Sequence, residues 1–251
     1  MGEFGNTVDP EDIDRFGAQS ANWWDPGGSF RPLHQINPVR IDFIRRQLLA
    51  HFNRDARSLS PFTGLSLADT GCGGGLVAEP MTRLGFAVTG LDADVQAIAT
   101  ARAHAAASGL AIDYRVADIE TLVRTGERYD VVLALEIIEH VADRDAFLAA
   151  IGTLVRPGGA FIGATLNRTP RSFALGIVGA EYLLGWLPRG THDWQRFVRP
   201  SEFVLGLRRA GLATIRLAGL GYDWQRGAWS ESGDLSVNYM LVAVRRPAIA
   251  A

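Results

Sequence analysis

One stretch constrains this chain more than any other: Ala68-Asp69-Thr70-Gly71-Cys72-Gly73-Gly74-Gly75, followed one βα unit later by Gly90-Leu91-Asp92. A short apolar run, Leu65 to Ala68, enters the glycines, and a helical pattern over 75–85 leaves them. A second strand, expected at 86–91, ends on an acid. Glycines between a strand and a helix let a ligand approach the backbone closely. An acid ending the next strand can hold two ribose hydroxyls with its two carboxylate oxygens. This is the layout of a nucleoside-cofactor site.

The spacing decides between cofactors. A dinucleotide turn reads Gly-x-Gly-x-x-Gly and sets pyrophosphate on a helix N-terminus. Here it is Gly71-x-Gly73-x-Gly75, with Asp69 where dehydrogenases carry an apolar residue or glycine. A carboxylate there repels pyrophosphate and suits a cationic amino-acid ligand, which favours S-adenosylmethionine (AdoMet). Asp-x-Gly-x-Gly-x-Gly resembles the first motif of the class I AdoMet-dependent methyltransferases. On that reading Asp69 to Gly75 cradles the methionine half, with Gly71 and Gly73 as the points of backbone approach. Asp92, with Ala93 beside it, takes the ribose. Asp118-Ile119, just past the third strand, reads the adenine edge, or else Asp118 is a solvated turn acid. Leu135, ending the fourth strand, packs on the cofactor.

The rest of the chain alternates strand and helix. Strands are expected at 65–69, 86–91, 112–116, 129–135 and 160–166, and helices at 75–85, 94–108, 144–155 and 200–210. Such alternation means a parallel sheet covered by helices, an α/β Rossmann-like fold. The last strands, about 213–220 and 237–244, have no clear helix between them, so a hairpin-like return makes that pair antiparallel near the sheet edge. Residues 1–52 read as an N-terminal helical lead-in preceding an AdoMet-binding domain at 53–251. Asp9-Pro10 and Asn37-Pro38 are cap-then-proline signals there, and Trp23-Trp24-Asp25-Pro26-Gly27-Gly28 forms a turn carrying two aromatics. Residues 170–199 break the alternation as a helical insertion after the fifth strand. Within it, 170–189 is apolar, interrupted by glycines and flanked by Arg171 and Arg189. It reads either as a buried lid helix or as a segment that meets a membrane surface.

Composition removes several function classes. The formal net charge is -2, which argues against a nucleic-acid footprint. All 25 basic residues are arginine, which excludes lysine Schiff-base chemistry and a Walker-A loop. The single cysteine, Cys72, rules out an internal disulfide and fits a reducing compartment. The expected location is cytoplasmic, with association to a membrane surface.

A second constellation follows the fourth strand: Glu136-Ile137-Ile138-Glu139-His140. If this is a helical turn, positions i, i+3 and i+4 share a face. Two carboxylates and an imidazole then converge where open α/β sheets bind ligands. That set suits Mg²⁺, Mn²⁺ or Zn²⁺, although a Glu-His pair here can also simply shape the turn. His192 could supply a fourth ligand, with Asp193 orienting it. Without a metal, His140 or His192 is the candidate general base. His51 and His104 lie on helical stretches and read as structural or exposed. His34, in an Arg31-Pro32-Leu33-His34 turn, could face the site.

Across residues 20 to 245 the chain resembles the ubiquinone-biosynthesis O-methyltransferases, the 3-demethylubiquinol or 2-polyprenyl-6-hydroxyphenol methylases. The resemblance is carried by Trp23-Trp24-Asp25, Phe30-Arg31-Pro32-Leu33-His34, Ile36-Asn37-Pro38-Val39-Arg40, Gly71-Cys72-Gly73-Gly74-Gly75, Glu139-His140, Thr165-Leu166-Asn167-Arg168, Val178-Gly179-Ala180-Glu181-Tyr182, Gly190-Thr191-His192-Asp193 and Val237-Asn238-Tyr239-Met240. It implies the class I methyltransferase sheet, contacts from Arg40, Gly71, Asp92 and Leu135 to AdoMet, a polyprenyl catechol substrate, peripheral membrane association, and a biosynthetic complex or homo-oligomer. Small-RNA 2′-O-methyltransferases share a Glu-x-x-Glu-His plus distal His arrangement that binds a divalent metal, which favours Glu136, Glu139, His140 and His192 as ligands. They should also carry a basic surface, and the net charge of -2 weighs against that. A methyltransferase acting on another small aromatic or lipid, and a non-catalytic AdoMet-binding subunit, are the remaining alternatives. Thr70 departs from the family, which has an apolar residue there.

Overall fold

The computed structural model describes residues 22–174, 193–223 and 227–247. The Asp9-Pro10 cap signal, most of the 170–199 insertion and His192 lie outside the described residues.

Eight strands form one sheet: β1 (Ser66–Thr70), β2 (Ala87–Asp92), β3 (Asp113–Val116), β4 (Tyr129–Leu135), β5 (Val155–Leu166), β6 (Leu212–Asp223), β7 (Ala228–Ser232) and β8 (Asn238–Arg245). Their order is β3-β2-β1-β4-β5-β8-β6-β7. The first five pair in parallel. β8 then runs antiparallel to both β5 and β6. This is the mostly parallel sheet that the alternation predicts, with one difference at its far edge. An additional strand, β7, pairs antiparallel with β6 and leads the chain back toward β8. Its sequence, Ala-Trp-Ser-Glu-Ser, has no apolar alternation to announce it.

Along the central strands, alternate side chains enter opposite layers, as a two-residue period demands. Leu67, Val131 and Leu133 pack on one side with Phe43 and Ile44, Met81 and Ile98. Ala68, Val132 and Ala134 pack on the other with Leu122, Phe147 and Phe203. The covering helices are α1 (Arg31–His51), α2 (Ala78–Arg83), α3 (Val95–Ala107), α4 (Ile119–Arg124), α5 (Arg144–Leu154), a short α6 (Pro170–Ser172) and α7 (Pro200–Arg209). The starts of three have a common chemical cause. Asp94, Asp118 and Asp143 are N-caps whose carboxylates accept from the backbone N–H groups of Gln96, Thr121 and Ala146.

Helix α1 corrects two expectations. It begins at Arg31, with a proline in its first turn, so His34 lies on a helix rather than in a turn. Pro38 sits inside the helix instead of starting it. An interior proline removes a hydrogen bond and ordinarily breaks a helix. Here Ile36, Asn37, Arg40, Phe43, Ile44, Leu48 and Leu49 are all buried along one face, and that burial holds the helix through the missing bond. Among the described residues no helix is long and apolar enough to cross a membrane.

Candidate active site

The first part of the site is the loop leaving β1 at the carboxyl edge of the sheet. Gly71, Gly73 and Gly75 all have positive φ, a conformation that glycine adopts without strain. At Gly73 a side chain is also excluded by contact, since a Cβ there would lie 2.5 Å from the Trp23 ring. The loop is tied to β2 by its own backbone: the N–H groups of Gly71 and Cys72 both donate to the Leu91 carbonyl, at 2.8 Å. Thr70, the departure from the family pattern, donates its hydroxyl to the Leu133 carbonyl on β4 at 2.7 Å and thereby closes β1 on its neighbour.

Two carboxylates flank this loop. Asp69 is 3% exposed, and its Oδ2 is buried with no hydrogen-bond partner. Burial, and then the negative charge of Asp92, push its carboxyl up to about 7. A buried acceptor held at that point is complementary to a cation that would relieve it. Asp92 ends β2; its Oδ2 accepts from Gly73 N–H at 2.8 Å and its Oδ1 from Asp94 N–H at 2.9 Å. Burial raises its pKa, while these backbone donors oppose the shift. Ala93 follows it, half-buried. Asp118 uses Oδ1 to cap α4, so its carboxylate is a structural cap rather than a solvated turn acid, and Ile119 behind it is buried. Leu135 ends β4 half-buried against the core.

The second part of the site follows β4. Glu136 takes φ +55°, a left-handed conformation uncommon for a side-chain-bearing residue, and its N–H donates to the Ala164 carbonyl on β5 at 2.9 Å. The left-handed residue ends the strand abruptly, and residues 137–140 form a turn. The expectation of a helical turn is therefore corrected: Glu136, Glu139 and His140 do not share a helix face. Instead Glu136 Oε1 pairs with the guanidinium of Arg40, which reaches over from α1 and is 4% exposed. Glu139 is 2% exposed and accepts from the Thr165 hydroxyl at 2.9 Å through Oε2, while its Oε1 receives no donor. Burial, followed by the charge of Glu136, holds the Glu139 carboxyl well above the usual carboxylate range. His140 is half-buried, and its carbonyl accepts from Arg196 at 2.9 Å.

Among the described residues no group of three His, Cys, Asp or Glu side chains gathers as a metal site. Glu139 has a buried oxygen without a donor beside the Glu136 carboxylate, which is itself paired with Arg40. The fourth expected ligand, His192, lies outside the described residues. The other expected site histidine, His34, bonds the Trp23 carbonyl through Nε2 at 2.8 Å. Thr165, the partner of Glu139, has no local signal in the sequence, because its hydroxyl comes from a residue 26 positions away.

Comparison with known proteins places this geometry. The model of a methyltransferase domain family matches residues 68–163. The ubiquinone biosynthesis O-methyltransferase of Paramagnetospirillum magneticum is 52% identical over 95% of this chain and 96% of its own length. That of Cereibacter sphaeroides is 51% identical, over 97% of this chain and 99% of its own. The crystal structure of magnesium protoporphyrin IX methyltransferase from Synechocystis with bound S-adenosylhomocysteine (SAH) shares the fold, with a TM-score of 0.64 at 20% identity over 93% of this chain and 99% of that one. With half its residues shared over nearly its whole length and the class I fold beneath them, the chain belongs to the ubiquinone biosynthesis O-methyltransferases, which are AdoMet-dependent enzymes.

Proposed function

We propose that this enzyme transfers the AdoMet methyl group to a hydroxyl of a polyprenyl catechol, and that the carboxyl edge of β1, β2 and β4 is the site. The observation that carries the reading is the pair of acids on either side of the glycine loop, Asp69 buried and Asp92 half-buried. Asp69, with a partnerless oxygen and a raised pKa, awaits a cation. Asp92 stands at the end of the next strand. AdoMet answers both, with its ammonium at Asp69 and its ribose hydroxyls at Asp92. Gly71 and Gly73 let its methionine half approach the backbone, Arg40 offers a guanidinium to its carboxylate, Leu135 packs on it, and Ala93, Asp118 and Ile119 border its adenosine.

The chemistry is a displacement. The substrate oxygen forms a bond to the methyl carbon, the S–CH₃ bond breaks with its electron pair going to sulfur, and SAH and the methyl ether leave. A phenol has a pKa near ~10 and is a weak nucleophile while protonated. It must lose its proton and lie in line with the sulfonium at roughly 3 Å. His140 and His192 are the candidates to take that proton on a ring nitrogen. The raised pKa of Glu139 lets that carboxyl hold a proton at a pH where an exposed acid could not. A divalent cation, when bound by Glu136, Glu139, His140 and His192, would favour the phenolate and fix its position. The polyprenyl tail is insoluble in water, and segment 170–189 is the candidate for collecting it at a membrane surface.

The test is to incubate purified enzyme with AdoMet and a short-chain prenyl catechol, with EDTA or with added Mg²⁺, and to follow the methyl ether by mass spectrometry. Product that EDTA abolishes supports the whole reading. Product that resists EDTA keeps the methylation and removes the cation. SAH binding without any product overturns the substrate class. Replacing Glu136 by glutamine keeps an acceptor for Arg40, so SAH binding should hold while turnover collapses; equal loss of both would remove Glu136 from the acceptor side.

A further inference from the structure

The glycine loop is also gripped by a set of aromatic contacts that the methyl transfer itself does not use. Trp24 lies flat on His104 of α3, with ring centroids 3.5 Å apart and an interplanar angle of 3°. Its indole N–H donates to the Gly74 carbonyl at 2.9 Å. Beneath the stack, His104 Nδ1 donates to Glu79 Oε1 at 2.6 Å, and that carboxylate is 2% exposed. Glu79 belongs to α2, the helix that leaves the loop, and its own backbone N–H donates to the Gly75 carbonyl at 3.1 Å. One connected unit, Trp24-His104-Glu79, therefore binds two successive loop carbonyls. Trp23 completes the seal: its ring stacks on Phe30 at 3.7 Å, and its Cβ occupies the space that a Cβ on Gly74 would need.

The physical need for such a grip follows from the sequence. Four of the five residues from Gly71 to Gly75 are glycine, and glycine loses more conformational freedom on ordering than any other residue. Left to itself, a loop of this composition would be ordered at the expense of cofactor affinity. An external clamp that orders it beforehand removes that penalty from the binding step. Neither Trp24 nor His104 is required to touch the reacting atoms.

We propose that Trp24 is a positioning residue for AdoMet: stacked on His104, which Glu79 holds, it fixes the Gly74 carbonyl and presets the glycine loop for the cofactor. The proposal rests on the reading of that loop as the seat of the methionine half. It makes residues 22–30 a determinant of cofactor affinity, although they precede the cofactor-binding sheet in the sequence.

The test uses the full chain with Trp24→Ala, Trp24→Phe and, as a control on the seat itself, Asp92→Ala. SAH affinity is measured by calorimetry, AdoMet KM and kcat by turnover, and Tm without ligand. Losing the stack and the N–H···O bond in Trp24→Ala should raise SAH Kd and AdoMet KM by about tenfold, with kcat at saturating AdoMet kept within about twofold. Trp24→Phe keeps a ring on His104 but loses the donor, so its effect should be about threefold and in the same direction. A lowered Tm with unchanged Kd and KM would make the contacts merely structural and overturn the proposal. Normal SAH binding in both Trp24 variants, with loss in Asp92→Ala, would overturn the clamp and keep the seat. Normal binding in Asp92→Ala would overturn the seat as well. If Trp24→Ala does not fold, Trp24→Phe decides.

Discussion

Replacing Asp69 by asparagine should make the ligand-free protein more stable at neutral pH and leave it unchanged in acid. The folded protein holds the Asp69 proton up to a pH of about 7, whereas the ordinary value is 3.8. A pKa raised by folding means that the stabilising contribution of the protonated form is complete below 3.8 and is lost as pH rises through 7. Each tenfold change in proton affinity is worth about 1.4 kcal/mol, so the interval from the ordinary to the folded value amounts to at most about 4 kcal/mol. Asparagine is neutral at every pH and escapes the loss. Urea unfolding of both proteins from about pH 4 to about pH 8 should therefore give free energies that coincide at the acid end. They should diverge toward about 4 kcal/mol at the alkaline end, with the variant above. Glu139, raised in the same direction, is present in both proteins and cancels in the difference. Saturating SAH, whose ammonium relieves the charge, should shrink or reverse the gap. Free energies that run parallel across the whole pH range would refute the reasoning, and a gap that SAH leaves untouched would remove Asp69 from the cofactor site.

Other outcomes follow from contacts elsewhere. At Gly219 a Cβ would collide with the Asp234 carbonyl oxygen. Gly219→Ala must therefore move backbone and should lower the unfolding free energy by about 2–4 kcal/mol in urea titration. At Gly73, with φ +52° and the Trp23 ring in the way, alanine should cost about 1–3 kcal/mol in the same assay and weaken SAH binding by calorimetry. Glu231 bridges Arg46 on α1 and Arg216 on β6 at 2.8 and 2.7 Å, and both hold its pKa below the usual value. Its contribution is present above the ordinary carboxylate range and lost as pH falls. Glu231→Gln should cost about 1 kcal/mol or less at neutral pH, and nothing in acid or at high salt, by thermal unfolding.

What the sequence made legible was local. The β1–glycine loop–β2 unit is read from consecutive residues, because the strand, the turn glycines and Asp92 each carry their own signal. Features set by tertiary contact were not legible. Pro38 announced a helix start because prolines usually do, and only the buried face of α1 overrides it. Glu136 gave no sign of a left-handed backbone, which a glycine or asparagine would have advertised; with that sign absent, Glu136, Glu139 and His140 read as one helical face. The ion pair of Arg40 with Glu136 spans 96 residues and the hydrogen bond of His104 to Glu79 spans 25. No spacing rule connects them. His104 accordingly read as a structural or exposed histidine, although it underlies Trp24.

Helix α1 leaves the ribosome early and finds its place late. One of its turns carries Arg40 to Glu136, and a later one ties Arg46 to Glu231, 185 residues onward. Its last residue, His51, bonds the Gly158 carbonyl at 2.9 Å at the entrance to β5. Glu136 precedes β5, so the partner of Arg40 is made first, whereas the His51 and Arg46 anchors do not exist until β5 and β7 have been synthesised, and closing so long a loop is slow. The helix is therefore seated in two stages, its Arg40 turn against the end of β4 and its later turns only against the strands that follow. A C-terminally clipped chain that ends before β7 keeps the Arg40–Glu136 pair and loses the Glu231 anchor.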